Sequence, residues 1–246
     1  MKQYGLIGFP LGHSFSKKFF TEKFLQENIN ATYVNFEIEH PEMLIDIIRN
    51  NKDLSGLNCT IPHKKSIIPL LDDLSEQAKR IGAVNVIKII RKGEDLKLIG
   101  HNSDIIGFTK SIQPLLKPNH KKALIFGTGG ASQAICTALS DLNIEWTIVS
   151  RSKGKNRLTY DDISESVIDE YHIIINCTPV GMFPHTNEAP LLPYNALTQN
   201  HLLYDLVYNP SETLFLKKGR KAGAITKNGQ EMLELQALAS WEIWNN

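Results

Sequence analysis

The chain has 246 residues, which at roughly 150 residues per domain predicts one or two domains. Its 27 basic and 26 acidic side chains leave a formal net charge of +1, so the positive excess typical of nucleic-acid-binding proteins is missing. Hydrophobic residues make up 42% and charged residues 22%, which excludes wholesale disorder. The apolar runs fall well short of the ~18 residues of a membrane-spanning helix, and residues 5–10 are too few and too broken for a signal-peptide core. We therefore expect a soluble, cytoplasmic protein that binds neither nucleic acid nor a membrane.

Alternating apolar runs and amphipathic stretches in the first hundred residues predict an α/β architecture. Strands are predicted over residues 2–9, 31–38, 57–61, 83–91 and 96–100, and helices over residues 16–28, 42–51 and 75–80.

A change of composition at residues 114–122 precedes a second series of elements. Strands are predicted over residues 123–126, 146–149, 172–176 and 201–205, with a helix that ends at Leu142 and a last helix over residues 229–244. Two domains therefore fit the chain better than one.

The three cysteines, Cys59, Cys136 and Cys177, are an odd number without CxxC spacing. Each lies in or after an apolar stretch, so we expect small buried residues in a reducing compartment and predict no metal site. A reactive or metal-bound thiol is the alternative.

The glycine-rich run GTGGAS, residues 127–132, joins a predicted strand to a predicted helix. It is a GxGxxG pattern in which Ser132 replaces the third glycine. Gly127 would allow the tight turn, Gly129 would let the backbone approach a pyrophosphate, and the helix N-terminus would favour the phosphates. The pattern indicates dinucleotide binding, with an ordinary strand-to-helix turn as the alternative.

The end of the next strand indicates which dinucleotide is bound. An NAD site usually has an acidic residue there for the ribose hydroxyls. This strand ends instead in Ser150-Arg151-Ser152-Lys153, and Lys155 follows. A guanidinium suits a 2′-phosphate, so NADP is preferred over NAD, with a solvated basic loop as the alternative.

Two serines, Ser14 and Ser16, lie at the start of the first predicted helix, where an anion is favoured. Helix capping would explain one of them equally well. Further along, Asn58 and Thr60 share one face of a predicted strand, and Lys64 follows the end of that strand.

Gln236 lies on the apolar face of the last helix, together with Met232, Ala239 and Ile243. A glutamine there needs a hydrogen-bonding partner, and either a ligand hydroxyl or a backbone carbonyl would serve.

These clusters, in this order, resemble the shikimate dehydrogenase family of the aromatic amino-acid pathway. The resemblance spans nearly the whole chain, and no single motif would carry it alone. The matching segments are GFP (8–10), HSFS (13–16), NCTIPHK (58–64), GAVN (82–85), NSDIIG (102–107), GTGGAS (127–132), NCTPVGM (176–182), DLVYNP (205–210) and NGQEMLELQ (228–236).

The resemblance implies an α/β fold with two domains. Residues 1–103 would form a mixed-sheet substrate domain and residues 104–225 a Rossmann-type NADP domain. The C-terminal helix, within residues 226–246, would pack back on the first domain.

The resemblance implies reversible NADPH-dependent reduction of 3-dehydroshikimate to shikimate, with Lys64 and Asp104 as the catalytic pair. A carbonyl that becomes an alkoxide needs a proton or a positive charge beside it, which Lys64 can supply. Asp104 can orient the ammonium or share the substrate hydroxyl. Taken by itself, Lys64 beside Lys65 would be read as a surface lysine.

The family's binding residues map onto this chain as follows. The substrate contacts are Ser14, Ser16, Asn58, Thr60, Lys64, Asn85, Asp104, Tyr208 and Gln236. The cofactor contacts are Glu76, Gly127, Thr128, Gly129, Gly130, Ala131, Ser150, Arg151, Ser152, Lys155, Leu206 and Gly229.

The chain departs from the family pattern at the cofactor-binding tip. Ser150 and Ser152 replace the usual Asn and Thr, and lysines replace the second arginine, which weakens the expected discrimination of NADP from NAD. Two alternatives follow: a quinate/shikimate dehydrogenase with relaxed cofactor use, and a non-catalytic NADP-binding regulator. The only partner expected is the small-molecule substrate, and the protein would be a monomer or homodimer.

Overall fold

The computed structural model describes residues 1–12, 14–93, 95–154 and 157–246, which form two compact units. The first unit consists of residues 1–106 and 236–246, and the second of residues 107–235. The C-terminal end of the chain therefore belongs to the first unit. The domain bounds inferred from the family stay a prediction.

The first unit contains six strands and three helices, together with the start of a fourth helix. The strands are β1 (Lys2–Gly8), β2 (Ala31–Glu37), β3 (Leu54–Cys59), β4 (Asp73–Leu74), β5 (Val86–Lys92) and β6 (Asp95–His101). The helices are α1 (Phe15–Gln26), α2 (Met43–Asn50), α3 (Glu76–Ile81) and α4 (Asp104–Ile112).

The six strands form one mixed sheet in the order β2-β1-β3-β5-β6-β4. The strand β1 runs parallel to β2 and β3, whereas β5 runs antiparallel to both β3 and β6. Because β5 is antiparallel, its first residues lie beside the last residues of β3. This arrangement brings the segment before β5 to the end of the sheet where β3 finishes.

Alternate residues of the strands point to opposite faces of this sheet, and each face has its own apolar core. On one face Leu57 and Ile87 pack with Leu44 of α2. On the other face Tyr4 stacks on Trp244 with ring centroids 4.9 Å apart. The C-terminal segment thus completes the core of the first unit.

The second unit carries six further strands. They are β7 (Lys122–Phe126), β8 (Glu145–Ser150), β9 (Arg157–Thr159), β10 (Ile173–Asn176), β11 (Leu202–Asp205) and β12 (Ile225–Lys227). Its helices are α5 (Gly130–Asp141), α6 (Glu165–Glu170), α7 (Leu214–Lys221) and the beginning of α8 (Gln230–Asn245).

These strands form an all-parallel sheet in the order β12-β11-β10-β7-β8-β9. This is the strand order of the Rossmann fold, in which the direction of winding reverses between β7 and β10. The loops after these two strands form the crevice where such sheets bind ligands. The expected combination of a mixed-sheet unit and a Rossmann-type unit is confirmed.

The strands and helices expected from the sequence are present, with shifted ends for two strands. The strand β3 starts at Leu54 and ends at Cys59, where residues 57–61 were expected, and β5 starts at Val86 instead of residue 83. The helices α4, α6 and α7 and the short strands β4, β9 and β12 were not expected, because short elements show little periodicity. Within the described residues, every helix is too short or too polar to span a bilayer.

Candidate functional site

The polar centre of the first unit is an ion pair between Lys64 and Asp104. Lys64 Nζ lies 2.5 Å from Asp104 Oδ2, and the exposed fractions of the two side chains are 15% and 7%. Charges this far from water need a partner, because desolvating a lone ammonium or carboxylate costs several kcal/mol. The Lys64 side chain is the more exposed of the two.

Two different elements supply this pair. Lys64 lies in the turn after β3, and its carbonyl oxygen accepts a hydrogen bond from the Val84 amide at 2.7 Å. Asp104 is the first residue of α4, and the N–H of Ile105 in the same turn donates to Asn102 Oδ1 at 3.4 Å. A carboxylate in the first turn of a helix is stabilised by the helix dipole.

Asn85 fixes the other oxygen of the Asp104 carboxylate. It precedes β5, is 3% exposed, and its Nδ2 donates to Asp104 Oδ1 at 2.8 Å and to Ser103 Oγ at 3.0 Å. Its Oδ1 accepts the backbone N–H of Ser103 at 2.6 Å, which determines the orientation of the amide. Asp104 is therefore held through both oxygens, by Lys64 and by Asn85.

Gln236 faces the same group of side chains from α8. Its Oε1 lies 3.3 Å from Ser103 Oγ and 3.4 Å from Asn85 Nδ2, and the residue is 8% exposed. The buried amide thus contacts other polar side chains, whereas the sequence suggested a ligand hydroxyl or a backbone carbonyl.

Asn58 joins this group from β3. Its Nδ2 donates to Ser240 Oγ at 2.9 Å, and its Oδ1 accepts from the Tyr33 hydroxyl at 2.8 Å. We call the whole set the buried polar cluster. It consists of Tyr33, Asn58, Asn85, Ser103, Asp104, Gln236 and Ser240.

Three members of the cluster, Tyr33, Ser103 and Ser240, were not recognised as site residues from the sequence. Ser103 lies within a matched motif, so its position beside Asp104 was the available signal. Ser240 is 137 residues from Ser103 along the chain, and nothing local links the two.

Three further predicted substrate contacts, Ser14, Ser16 and Thr60, lie at the start of α1 and the end of β3. Ser14 is the N-cap of α1 and its Oγ accepts the N–H of Lys17 at 3.2 Å, so the capping interaction that was the alternative is present. The Ser16 hydroxyl bonds to the Tyr33 phenol, whose pKa is raised by burial. Thr60 directly follows β3, and its backbone N–H donates to Ile7.

In the second unit, the glycine-rich turn follows β7 and leads into α5. Gly127 has a φ of +112°, which only glycine adopts easily, and Gly129 is the N-cap of α5. Ser132, in the position of the third glycine, is fully buried and donates to the Gly129 carbonyl at 2.7 Å. The serine in place of the third glycine therefore adds a hydrogen bond within the turn.

A phosphate group fits this turn. A Cβ added at Gly129 would have no heavy atom within 4 Å, so the backbone there is open to a ligand. The first amides of α5 are the donors that a pyrophosphate requires. Thr128, Gly130 and Ala131 complete this run of backbone.

The predicted 2′-phosphate site lies at the end of β8. Arg151 follows β8 and is exposed, as are Ser152 and Lys153, while Ser150 Oγ donates to the Ser152 carbonyl at 2.6 Å. Lys155 lies outside the described residues. An exposed guanidinium at this strand end suits a phosphate.

Leu206 and Gly229, both predicted cofactor contacts, lie against each other in the second unit. A Cβ on Gly229 would overlap the Leu206 carbonyl, so this close approach requires glycine. Tyr208, a predicted substrate contact, is half-buried in the same loop, and burial raises its pKa.

Asp205 anchors the loop that begins at Leu206, and no role was predicted for it. It is fully buried at the end of β11, and its carboxylate accepts hydrogen bonds from Thr213 Oγ1 at 2.6 Å, Asn176 Nδ2 at 3.0 Å and the Val207 amide at 3.0 Å. These bonds join the ends of β10 and β11 to the start of α7.

Most of the predicted site residues lie close to others of the same unit. Lys64, Asp104, Asn85, Asn58 and Gln236 meet in the first unit. Glu76 also belongs to the first unit, where it opens α3 and pairs with Lys79 at 2.8 Å, so its role at the cofactor stays a prediction.

Comparison with known proteins identifies similar chains over the full length. The family model described as the shikimate dehydrogenase substrate binding domain matches residues 6–87. A shikimate dehydrogenase (NADP(+)) of Methanococcus maripaludis is 39% identical over 264 residues, which cover 99% of this chain and 91% of that protein.

Solved structures show the same similarity. A shikimate dehydrogenase in complex with NADP+ has a TM-score of 0.85 at 34% identity, covering 99% of this chain and 90% of that one. The enzyme of Thermus thermophilus, solved with NADP(H) and shikimate, has a TM-score of 0.86 at 25% identity, with coverages of 99% and 93%.

Replacing Asp205 by Asn should remove a pH-dependent contribution to stability. Burial raises the pKa of Asp205 to about 6, from the usual 3.8, so the folded state binds this proton more tightly than the unfolded state. The contribution of Asp205 to the free energy of unfolding is therefore greatest at low pH and declines as the pH rises through the range between these two values. Relative to Asp205→Asn, the unmodified protein should lose about 2 kcal/mol of unfolding free energy between about pH 4.5 and about pH 7.

Urea denaturation of both proteins at the two pH values measures this loss. Asp161→Asn, at an exposed carboxylate of the same unit, is the matched control and should show little change. A stability difference between Asp205→Asn and the unmodified protein that is the same at both pH values would contradict the prediction.

Proposed function

The chain belongs to the shikimate dehydrogenase family, and we propose that it catalyses the reversible NADPH-dependent reduction of 3-dehydroshikimate to shikimate. The observation that carries this proposal is the buried pair of Lys64 and Asp104, the two residues to which the resemblance assigns catalysis. Two relatives that are each 39% identical over nearly the whole chain bear the name of this NADP(+)-dependent enzyme. The reaction is a step of aromatic amino-acid biosynthesis.

Lys64 is proposed as the proton donor in reduction and the proton acceptor in oxidation. As the substrate carbonyl carbon is reduced, negative charge develops on its oxygen, and a neighbouring ammonium stabilises that charge and then transfers a proton. In the reverse direction the neutral amine accepts the hydroxyl proton. The partial exposure of the Lys64 side chain supports this role.

Asp104 is proposed to hold the Lys64 ammonium in place and to accept a hydrogen bond from a substrate hydroxyl. Asn85 binds Asp104 Oδ1, so the carboxylate cannot rotate away from Lys64 without breaking a buried bond. Preorganisation of this kind lowers the cost of reaching the transition state.

The substrate's remaining polar groups are assigned to the family's other positions. Ser14 and Ser16 at the start of α1 would bind the carboxylate. The contacts to the ring hydroxyls and the carboxylate would be completed by Asn58, Thr60, Asn85, Tyr208 and Gln236. The buried polar cluster supports the second part of this assignment, because it already orients Asn58, Asn85 and Gln236.

NADPH, when bound, supplies the hydride. The turn of Gly127, Thr128, Gly129, Gly130 and Ala131 would bind its pyrophosphate. Ser150, Arg151, Ser152 and Lys155 would bind the 2′-phosphate. Glu76, Leu206 and Gly229 complete the proposed set.

We further propose a cytoplasmic enzyme that acts as a monomer or homodimer and does not bind nucleic acid. The formal net charge of +1 supports the last point. A non-catalytic regulator is disfavoured by the presence of both members of the Lys64–Asp104 pair.

Steady-state rates with shikimate and with quinate, each against NADP and NAD, test the proposed function. We expect turnover with shikimate and NADP to have the highest kcat/KM, because Arg151 suits the 2′-phosphate. Measurable turnover of quinate with NAD would indicate the broader enzyme. Binding of NADP without turnover of shikimate would refute the proposal.

Lys64→Ala should lower kcat by about 10²- to 10⁴-fold, because a positioned general acid contributes that much. Lys65→Ala, at the adjacent exposed lysine, is the matched control and should keep the kcat of the unmodified enzyme. Initial rates of NADPH formation at saturating shikimate and NADP measure kcat for both variants. An unchanged kcat in Lys64→Ala would show that the proton is transferred by another group.

A further inference from the structure

Ser240 is a fully buried serine of α8 whose hydroxyl has three polar partners. Its Oγ lies 2.8 Å from the Gln236 carbonyl oxygen, 2.9 Å from Asn58 Nδ2 and 3.0 Å from Ser103 Oγ. Gln236 and Asn58 are proposed substrate contacts, and Ser103 precedes Asp104. The hydroxyl thus lies at the junction of three segments that carry the site.

Proton counting determines the direction of these bonds. A serine hydroxyl has one proton, and in a helix it commonly donates to the carbonyl four residues earlier, here that of Gln236. Asn58 Nδ2 can only donate, so Ser240 accepts from it. Ser103 must therefore donate to Ser240, because the single proton of Ser240 is already used.

This direction leaves the Ser103 oxygen as an acceptor for Asn85. Asn85 Nδ2 then donates one proton to Ser103 Oγ and the other to Asp104 Oδ1, at 3.0 and 2.8 Å. The amide of Asn85 has a single orientation that satisfies all of these bonds. A connected series of bonds therefore links Asp104 to Ser240, in which Asn85 donates to Asp104 and to Ser103 and Ser103 donates to Ser240.

A second branch reaches Ser240 through Asn58. The Tyr33 hydroxyl donates to Asn58 Oδ1, so the Asn58 amide presents its Nδ2 to Ser240. Both branches end at the Ser240 oxygen, which accepts from each. The orientations of Asn58 and Asn85 are thus coupled through one hydroxyl group on α8.

We propose that Ser240 is a positioning residue for the reaction, acting on Asp104 through Ser103 and Asn85 and on the substrate contacts Asn58 and Gln236. This inference rests on the proposed function. It assigns a role in the site to a residue outside the motifs that indicated the family.

The loss of the Ser240 oxygen would reorganise the cluster rather than merely weaken it. The Ser103 proton would turn to its next nearest acceptors, Asn85 Oδ1 and Gln236 Oε1, each at 3.3 Å. Asn58 Nδ2 would lose its 2.9 Å acceptor. Buried donors without acceptors are costly, so the amides would shift to find new ones.

The test compares Ser240→Ala with Ser240→Thr, which retains the hydroxyl. Ser240→Ala should raise the KM for shikimate and lower kcat, each by about tenfold, as expected for the loss of one well-formed hydrogen bond at each step. The KM for NADP should stay unchanged. Ser240→Thr should restore both shikimate parameters, and Ser240→Cys, which keeps the volume with a weaker acceptor, should lie between.

Ser111→Ala is the matched control. Ser111 is a buried helical serine that bonds to the Phe108 carbonyl and the Tyr204 hydroxyl, so its loss has a comparable structural cost. We expect this variant to lose thermal stability while keeping the KM for shikimate and kcat. If Ser240→Ala fails to fold, the comparison of Ser240→Cys with Ser240→Thr decides.

The outcomes separate this inference from the proposed function. If the unmodified protein does not oxidise shikimate, the proposed function is wrong. If it does, and the serine variants keep both parameters or change only the KM for NADP, then Ser240 has a structural role alone. A loss of shikimate parameters in Ser240→Ala that Ser240→Thr does not restore would also overturn the inference.

Discussion

The buried ion pair of Lys64 and Asp104 determines which other polar side chains the site must contain. Two opposite charges at 2.5 Å and largely out of water are stable only if their remaining bonding capacity is satisfied. Asn85 meets this need at the second carboxylate oxygen. The amide, in turn, must be held by Ser103, so a single buried charge pair requires a network around it.

The topology of the first unit meets that requirement. The antiparallel strand β5 places Asn85 beside the end of β3, after which Lys64 follows. The first turn of α4 adds Asp104, and α8 adds Gln236 and Ser240, which bond to Ser103 and Asn58. A parallel β5 would not serve here, because only a reversed strand brings the start of β5 to the end of the sheet where β3 finishes.

The sequence predicted the parts of the molecule that depend on local pattern. Gly127 and the following helix could be recognised because a turn with a positive φ requires glycine, and this glycine lies between an apolar strand pattern and a helix pattern. The three-residue strands β9 and β12 could not, because so few residues show no periodicity. Lys64 was ambiguous by itself, since only the fold brings Asp104, 40 residues further on, against it. Ser240 could not be recognised either, because Asn58 and Ser103, its partners, are also brought to it only by the fold.

A double-mutant cycle on the ion pair measures whether Lys64 and Asp104 act as one unit. The values of kcat/KM for shikimate are measured in Lys64→Met, Asp104→Asn and the double variant. We predict that the double variant is about as slow as the slower single one, because removing either partner already breaks the unit. Losses that multiply in the double variant would show instead that the two residues act independently.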